Sequence, residues 1–175
     1  MTTDQAADFQ LRPFQTGDTA SVLALNAACQ PEVGLMDSAK LTRFVEQAPY
    51  LKVVEDEGKT VVAFLVGLTE DVDYASPNFG WFVEHMDSFA YIDRIAVAEQ
   101  ARGAGIGPML YHDFEAWAAS VGRPSLCAEV NVEPPNPRSV RFHEIFGFSA
   151  LEEVEPTGSP DYRVVMLEKR ISKAT

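Results

Sequence analysis

Apolar and polar residues follow several distinct periods along the first 68 residues of the chain. Phe9–Phe14 alternates at every second position, which predicts a short edge strand. Apolar residues then recur at helical spacing in two segments, one capped by Asp18 and one spanning Asp37–Ala48. Two runs rich in β-branched residues, Leu51–Glu55 and Thr60–Leu68, predict an antiparallel hairpin.

The rest of the chain begins with an irregular stretch and then returns to regular periods. Thr69–Ser88 mixes acidic and aromatic residues around Pro77 and predicts a long loop, either peripheral or a lid with acidic groups for a cationic ligand. After it we predict a strand at Ala90–Val97, a long helix at Ile106–Val121 and a buried strand at Leu126–Val130. A short helix that ends at Gly147 follows, and the strands Phe148–Glu155 and Arg163–Glu168 form a closing pair. This order predicts an α+β fold in which a mixed sheet of about seven strands is flanked by about four helices.

The strand Ala90–Val97 contains a break in its apolar pattern. Ile92 and Ile95 are an odd number of positions apart, whereas Ile95 and Val97 keep the period of two. The pattern therefore slips by one residue near Asp93. A β-bulge would produce that slip, and an ordinary buried strand with one polar turn is the alternative.

Composition narrows the class of protein. The 175 residues suit one domain over 1–175, in which residues 1–8 are expected to be a flexible tail. With 26 acidic and 14 basic residues the formal charge is −12, which excludes nucleic acid as an expected partner because phosphate backbones would be repelled.

We find no leader-like N-terminus and no apolar run of membrane-spanning length, so we expect a soluble, cytoplasmic protein without a membrane partner. Cys29 and Cys127 lie in apolar stretches without metal-ligand spacing, so we expect reduced core cysteines and no metal site.

A glycine-rich run, Arg102-Gly103-Ala104-Gly105-Ile106-Gly107, lies between a predicted strand and a predicted helix. Unpaired N–H groups at a helix start, glycines and an arginine together favour an anion site. A P-loop is excluded because no lysine follows these glycines. A dinucleotide fingerprint fits poorly, although Glu129 lies where a ribose-binding carboxylate would be expected, because the spacing is Gly-x-Gly-x-Gly. A plain glycine turn without ligand is the remaining alternative.

These residues resemble the GNAT superfamily of N-acetyltransferases. In that family an Arg/Gln-x-x-Gly-x-Gly/Ala loop holds the pyrophosphate of acetyl-coenzyme A, and Arg102, Gly105 and Gly107 match it. The similarity extends to the strand Tyr91–Val97 and to Asn136-Pro-Arg-Ser139 with the Phe142–Phe148 segment that follows. The resemblance implies a GNAT-like, mostly antiparallel sheet with a splayed central strand pair, and acetyl-coenzyme A as cosubstrate with no metal.

The resemblance also implies a set of coenzyme contacts. The splayed strand would offer its backbone to the acetyl thioester, and two polar side chains would bind the pantetheine arm. The expected cofactor-binding residues are Ile95, Ala96, Val97, Arg102, Gly103, Ala104, Gly105, Ile106, Gly107, Asn136 and Ser139.

Acetyl transfer to an amine needs a base for the amine, stabilisation of the oxyanion and a proton for the departing thiolate. Glu129, Asp93 and Glu84 are the candidate bases, and the sequence does not single one out. The family often has a Phe-Tyr pair whose hydroxyl lies near the coenzyme sulfur, whereas this chain has Phe142-His143. His143 is therefore the candidate acid, with a purely structural role as the alternative.

The sequence thus predicts an acyltransferase that moves acetyl directly from acetyl-coenzyme A to an amine of a small molecule or peptide. A covalent route through Cys127 is disfavoured because an apolar strand raises the pKa of a thiol. The departure at His143 supports an alternative, a non-catalytic sensor of acyl-coenzyme A. The acidic net charge favours a cationic acceptor, and a homodimer is an open expectation.

Overall fold

A computed structural model of the protein describes residues 8–172 as an α+β fold. Nearly all of the predicted tail at residues 1–8 lies outside the described residues. The strands are β1 (Gln10–Pro13), β2 (Tyr50–Glu55), β3 (Val61–Thr69), β4 (Ala90–Val97), β5 (Ser125–Glu133), β6 (Ser149–Val154) and β7 (Arg163–Arg170). The helices are α1 (Thr19–Ala28), α2 (Ser38–Gln47), α3 (Pro77–His85), α4 (Ile106–Ser120) and α5 (Pro137–Phe146). None of the helices in 8–172 is long and apolar enough to cross a membrane.

The seven strands form one sheet in the order β1-β2-β3-β4-β5-β7-β6. The pairs β1–β2, β5–β7 and β6–β7 are antiparallel, as predicted for a mostly antiparallel sheet. The pair β4–β5 is parallel and is held by Ala90 opposite Leu126 and Tyr91 opposite Cys127. Beyond this short ladder the two strands are splayed, which confirms the fold class expected from the sequence.

By their internal contacts the residues group into two compact units. The first contains residues 8–66 together with Arg94–Tyr111, and the second contains Gly67–Asp93 together with residues 112–172. In the first unit, Val22, Leu41, Phe44 and the inner residues of β2 and β3 are buried. In the second, aromatic residues of α3, β4 and α4 are buried.

Arg94 explains the break in the apolar pattern of β4. Buried and half-buried positions alternate without interruption from Ile92 to Val97, which favours the ordinary strand over the β-bulge. Arg94 occupies a buried position, where its guanidinium donates to Asn26 Oδ1 at 3.1 Å and to the Gly34 carbonyl at 3.0 Å. A polar residue with satisfied donors can thus take the place of an apolar one in a strand.

The predicted loop at Thr69–Ser88 is wrong in its centre, where α3 forms, and this is why the structure has five helices and not four. Ser76 caps the helix by accepting from the Phe79 amide, and Pro77 lies in the first turn, where proline starts a helix rather than breaking one. Phe79 and Phe82 are buried and pack edge-on or tilted against Tyr91 at 5.3 and 5.7 Å between ring centroids. Tertiary packing of these aromatic rings offsets the weak helical propensity of the segment.

Gly67 of β3 has no room for a side chain, because a Cβ there would lie 2.1 Å from Phe114 Cε2. Gly80 of α3 is the opposite case, with open space and an ordinary helical conformation. We therefore expect Gly67→Ala to lower the free energy of unfolding by about 1–3 kcal/mol through overpacking. The matched variant Gly80→Ala should raise it by roughly 0.5–1 kcal/mol.

Chemical denaturation of both variants measures these changes. Adding Phe114→Leu to Gly67→Ala should recover part of the loss, since it removes the ring atoms that clash. Equal stabilities for the two alanine variants would contradict this account of the packing.

Candidate active site

The glycine-rich loop of the first unit is an open turn that leads into α4. Gly103 and Gly105 have φ angles of 82° and 81°, a region that side-chain-bearing residues rarely adopt. A Cβ at either glycine would meet nothing within 4 Å. Glycine is therefore required here by the backbone conformation and not by a lack of space for a side chain. Helix α4 begins at Ile106, and its first-turn N–H groups have no acceptor within the helix.

Arg102 lies at the start of this loop and is exposed. Its Nε donates to the Val97 carbonyl at 3.3 Å, which ties the loop back to the end of β4. Cys29 Sγ lies 3.7 Å from the same carbonyl oxygen. The structure thus brings Val97 and Arg102 together, and the guanidinium of Arg102 has further N–H donors beyond the one that this contact uses.

Glu129 is the centre of a polar cluster in the second unit. The Tyr91 hydroxyl donates to Glu129 Oε1 at 2.9 Å, and Asn78 Nδ2 donates to the same oxygen at 3.0 Å. Asn78 Nδ2 also donates to the Tyr162 hydroxyl at 3.2 Å. Glu129 Oε2 and Asn78 Oδ1 are buried and have no hydrogen-bond partner within the described residues. The cluster joins α3, β4, β5 and the segment before β7.

The environment of Glu129 favours its neutral form. Part of the residue reaches solvent, but its carboxyl is desolvated, and this burial is the main reason that its pKa is raised to about 7. The negative charge of Asp93 raises the pKa of Glu129 further, whereas the hydrogen bonds from Tyr91 and Asn78 lower it. Burial also raises the pKa of Tyr91 well above its usual value, so its hydroxyl stays protonated. Glu129 can therefore exchange a proton near neutral pH.

His143 and the start of α5 form a second, separate arrangement. His143 is buried, and its Nδ1 lies 2.8 Å from the Ser139 carbonyl, to which it donates. Burial lowers the pKa of His143, so the ring is neutral and carries its hydrogen on Nδ1. Asn136 caps α5 by accepting from the Ser139 amide at 3.2 Å. These contacts favour a structural role for His143 over the predicted role as an acid.

The other sequence candidates are dispersed. Glu84 is exposed on α3. Cys127 is buried, and burial raises the pKa of its thiol far above the usual value, in keeping with its expected inertness. Within residues 8–172 no group of histidine, cysteine or acidic side chains is arranged to hold a metal.

Asn78, Tyr91 and Tyr162 are members of the Glu129 cluster that the sequence analysis did not single out as site residues. Asn78 lies in the segment that the sequence predicts as a loop, although the Ser-Pro start of α3 is a signal for a helix there. Tyr91 has only the pattern of a strand residue. Tyr162 has no sequence signal, since its approach to Asn78 is across 84 residues of chain.

Comparison with known proteins places the chain among acetyltransferases. A sequence model of the acetyltransferase (GNAT) family matches residues 20–148. No curated protein matches the sequence significantly.

Among solved structures, Ard1 from Thermoplasma volcanium is similar with a TM-score of 0.74 and 21% identity, over 94% of this chain and 99% of that one. Naa20 from Chaetomium thermophilum, in complex with a bisubstrate analogue, has a TM-score of 0.75 and 20% identity, over 93% and 86%. The NatC complex bound to Gag peptide and CoA has a TM-score of 0.75 and 17% identity, over 94% and 99%. These structures share the fold, and the sequence match covers most of the chain; the protein belongs to the GNAT family of acetyltransferases.

Proposed function

We propose that the protein transfers an acetyl group from acetyl-coenzyme A directly to a primary amine of a small molecule or peptide, with Glu129 as the general base. The observation that carries this proposal is the desolvated Glu129 carboxyl, whose pKa of about 7 suits proton transfer at neutral pH. Structural neighbours were solved with a bisubstrate analogue or with a peptide and CoA, which supports the same pair of substrates here.

The glycine-rich loop is the proposed pyrophosphate site. Gly103 and Gly105 have positive φ angles and open space where a Cβ would be, and the start of α4 adds its helix dipole. Arg102 would add charge-assisted hydrogen bonds to the same anion. The backbone of Ile95, Ala96 and Val97 is the proposed contact for the thioester and pantetheine, together with Asn136 Nδ2 and the Ser139 hydroxyl.

Proton transfer at Glu129 follows from its hydrogen bonds. Because Oε1 already accepts from Tyr91 and Asn78, Oε2 is the oxygen left to take a proton. An alkylammonium has a pKa near 10.4, so it must lose a proton before it attacks. Formation of the N–C bond and cleavage of the C–S bond then release one further proton and a coenzyme thiolate. That proton neutralises the thiolate, and the first one leaves to solvent.

The supporting groups have distinct proposed roles. Tyr91 orients Glu129 through its permanently protonated hydroxyl. Asp93 acts electrostatically, since its charge adds to the larger effect of burial in raising the pKa of Glu129. His143 stays in the proposal only as the alternative acid that the sequence predicts. The net charge of −12 favours a cationic acceptor.

Acetyl-coenzyme A should stabilise the protein through Arg102. At ~100 times its dissociation constant a ligand adds roughly 2.7 kcal/mol, and each kcal/mol raises Tm by about 2–4 °C at this chain length. Differential scanning fluorimetry should therefore show a rise of about 5–10 °C, which Arg102→Ala reduces. The control is Arg43→Ala, which removes an exposed arginine of α2 and should keep the full rise. A rise with NADH alone would contradict the coenzyme assignment.

Glu129→Gln should lower kcat/KM for acetyl transfer by about 10²–10⁴-fold. In the wild type kcat/KM should increase with pH through a midpoint near 7, because only the deprotonated carboxylate accepts a proton. The control is Glu133→Gln, at the exposed end of the same strand, which should keep both the rate and the midpoint.

A panel of primary amines assayed by release of coenzyme A gives these rates. Full activity and an unchanged pH profile in Glu129→Gln would contradict the role of Glu129. Binding of acetyl-coenzyme A by the wild type without transfer to any amine would favour the sensor instead.

A further inference from the structure

Two buried acceptor atoms of the second unit are unsatisfied, and they belong to one interacting pair of side chains. They are Glu129 Oε2 and Asn78 Oδ1, which have no hydrogen-bond partner in the described part of the chain. The same side chains share the hydrogen bond from Asn78 Nδ2 to Glu129 Oε1 at 3.0 Å. Since buried polar groups are nearly always hydrogen-bonded, both orphan atoms require an explanation.

One proton can satisfy both atoms at once. Glu129 Oε1 accepts from the Tyr91 hydroxyl as well as from Asn78, so a proton on this carboxyl belongs on Oε2. A protonated carboxyl is a donor at one oxygen and an acceptor at the other, and a primary amide offers the complementary acceptor and donor. The two groups can therefore form a closed ring with two hydrogen bonds in opposite directions.

We propose that Asn78 is a positioning residue that stores the proton of Glu129, in a ring where Glu129 Oε2–H donates to Asn78 Oδ1 and Asn78 Nδ2 donates to Glu129 Oε1. The ring exists when Glu129 is neutral. When Glu129 is ionised, Oε2 has no hydrogen to donate and Asn78 Oδ1 loses its donor, and this disfavours the anion.

The amide of Asn78 is held in place from two sides. Its backbone belongs to the first turn of α3, which Ser76 caps, and the next residue, Phe79, packs against Tyr91 at 5.3 Å. The second hydrogen of Nδ2 donates to the Tyr162 hydroxyl at 3.2 Å. With Nδ2 facing two oxygens, Oδ1 is left for the Glu129 proton.

The groups around the ring agree with a neutral Glu129. From β4 come the protonated Tyr91 hydroxyl and the negative charge of Asp93. From β7 the residue opposite Glu129 in the ladder is the apolar Met166. The Tyr162 hydroxyl lies on the far side of Asn78. Burial and the Asp93 charge both oppose ionisation and raise the pKa of Glu129 to about 7.

The ring also makes Glu129 Oε2 the atom that exchanges a proton with the substrate, an inference that rests on the function proposed above. Loss of the stored proton to solvent frees Oε2, while Asn78 Nδ2 and Tyr91 still hold Oε1 in place. Oε2 then takes the proton that the alkylammonium loses before it attacks. The regenerated O–H closes the ring again, while the proton released as the N–C bond forms neutralises the coenzyme thiolate that the broken C–S bond sets free.

A pH titration by carbon NMR tests the ring in the unmodified protein without any substrate. We expect the Asn78 Cγ and Glu129 Cδ resonances to move together with a shared midpoint near 7, because Oδ1 loses its donor when Glu129 ionises. In Glu129→Gln the Asn78 resonance should stay constant, since a glutamine amide can form the same ring without a titrating proton. Asn26 is the internal control, because its Oδ1 accepts from the permanently charged Arg94.

Two results would overturn the ring. One is an Asn78 Cγ resonance that stays still while Glu129 titrates, and the other is a Glu129 midpoint at the ordinary value for glutamate. Failure of the enzyme to acetylate amines would leave this readout unaffected, so the two proposals fail separately.

The pH dependence of kcat/KM in Asn78→Asp separates a role in holding the proton from a purely structural role, which would leave the midpoint unchanged. Two carboxyls that share one proton titrate in two steps, and the pKa of the second step is raised. The midpoint of the kcat/KM profile should therefore move to higher pH by about one unit or more. A lower rate with an unmoved midpoint would contradict the role of Asn78 in holding the proton.

Discussion

The polar cluster of the second unit depends on the carboxyl group of Glu129, which is desolvated and accepts hydrogen bonds from neutral donors. Glu129 lies on β5 and accepts from Tyr91 on β4 and from Asn78 on α3, so three elements must be in register for its Oε1 to be satisfied. The charge that acts on its titration most directly is that of Asp93, which has the same sign. The site therefore favours a neutral carboxyl that can ionise near pH 7, as a base for proton transfer requires.

The glycine-rich loop of the first unit favours an anion, whereas the surroundings of Glu129 in the second unit disfavour one. In a chain of net charge −12, the loop from Arg102 to Gly107 presents an arginine, two glycines with positive φ and the start of a helix. These groups can bind an anion. Membership of the GNAT family agrees with the proposal that this loop binds the coenzyme, since acetyl transfer from a coenzyme requires an anion site.

The sequence predicted whatever depends on local pattern. The strands, four of the helices and the glycine loop follow from periodicity and turn residues. Helix α3 was missed because Gly80 and the aromatic residues weaken its own propensity, and packing of Phe79 and Phe82 on Tyr91 supplies the stability. The partners of Glu129 were missed for a related reason. Asn78 and Tyr91 reach it only through tertiary contacts, from 51 and 38 residues away, which no local pattern records.

The most direct test of this account is the ionisation of Glu129 itself, compared between the wild type and Tyr91→Phe. Infrared difference spectroscopy resolves the carbonyl stretch of a protonated carboxyl, and Glu129→Gln identifies the band that belongs to this residue. The account predicts a protonated Glu129 that titrates near pH 7, with a higher midpoint in Tyr91→Phe because the anion loses a donor. A Glu129 that is fully ionised at pH 6 in the wild type would contradict it.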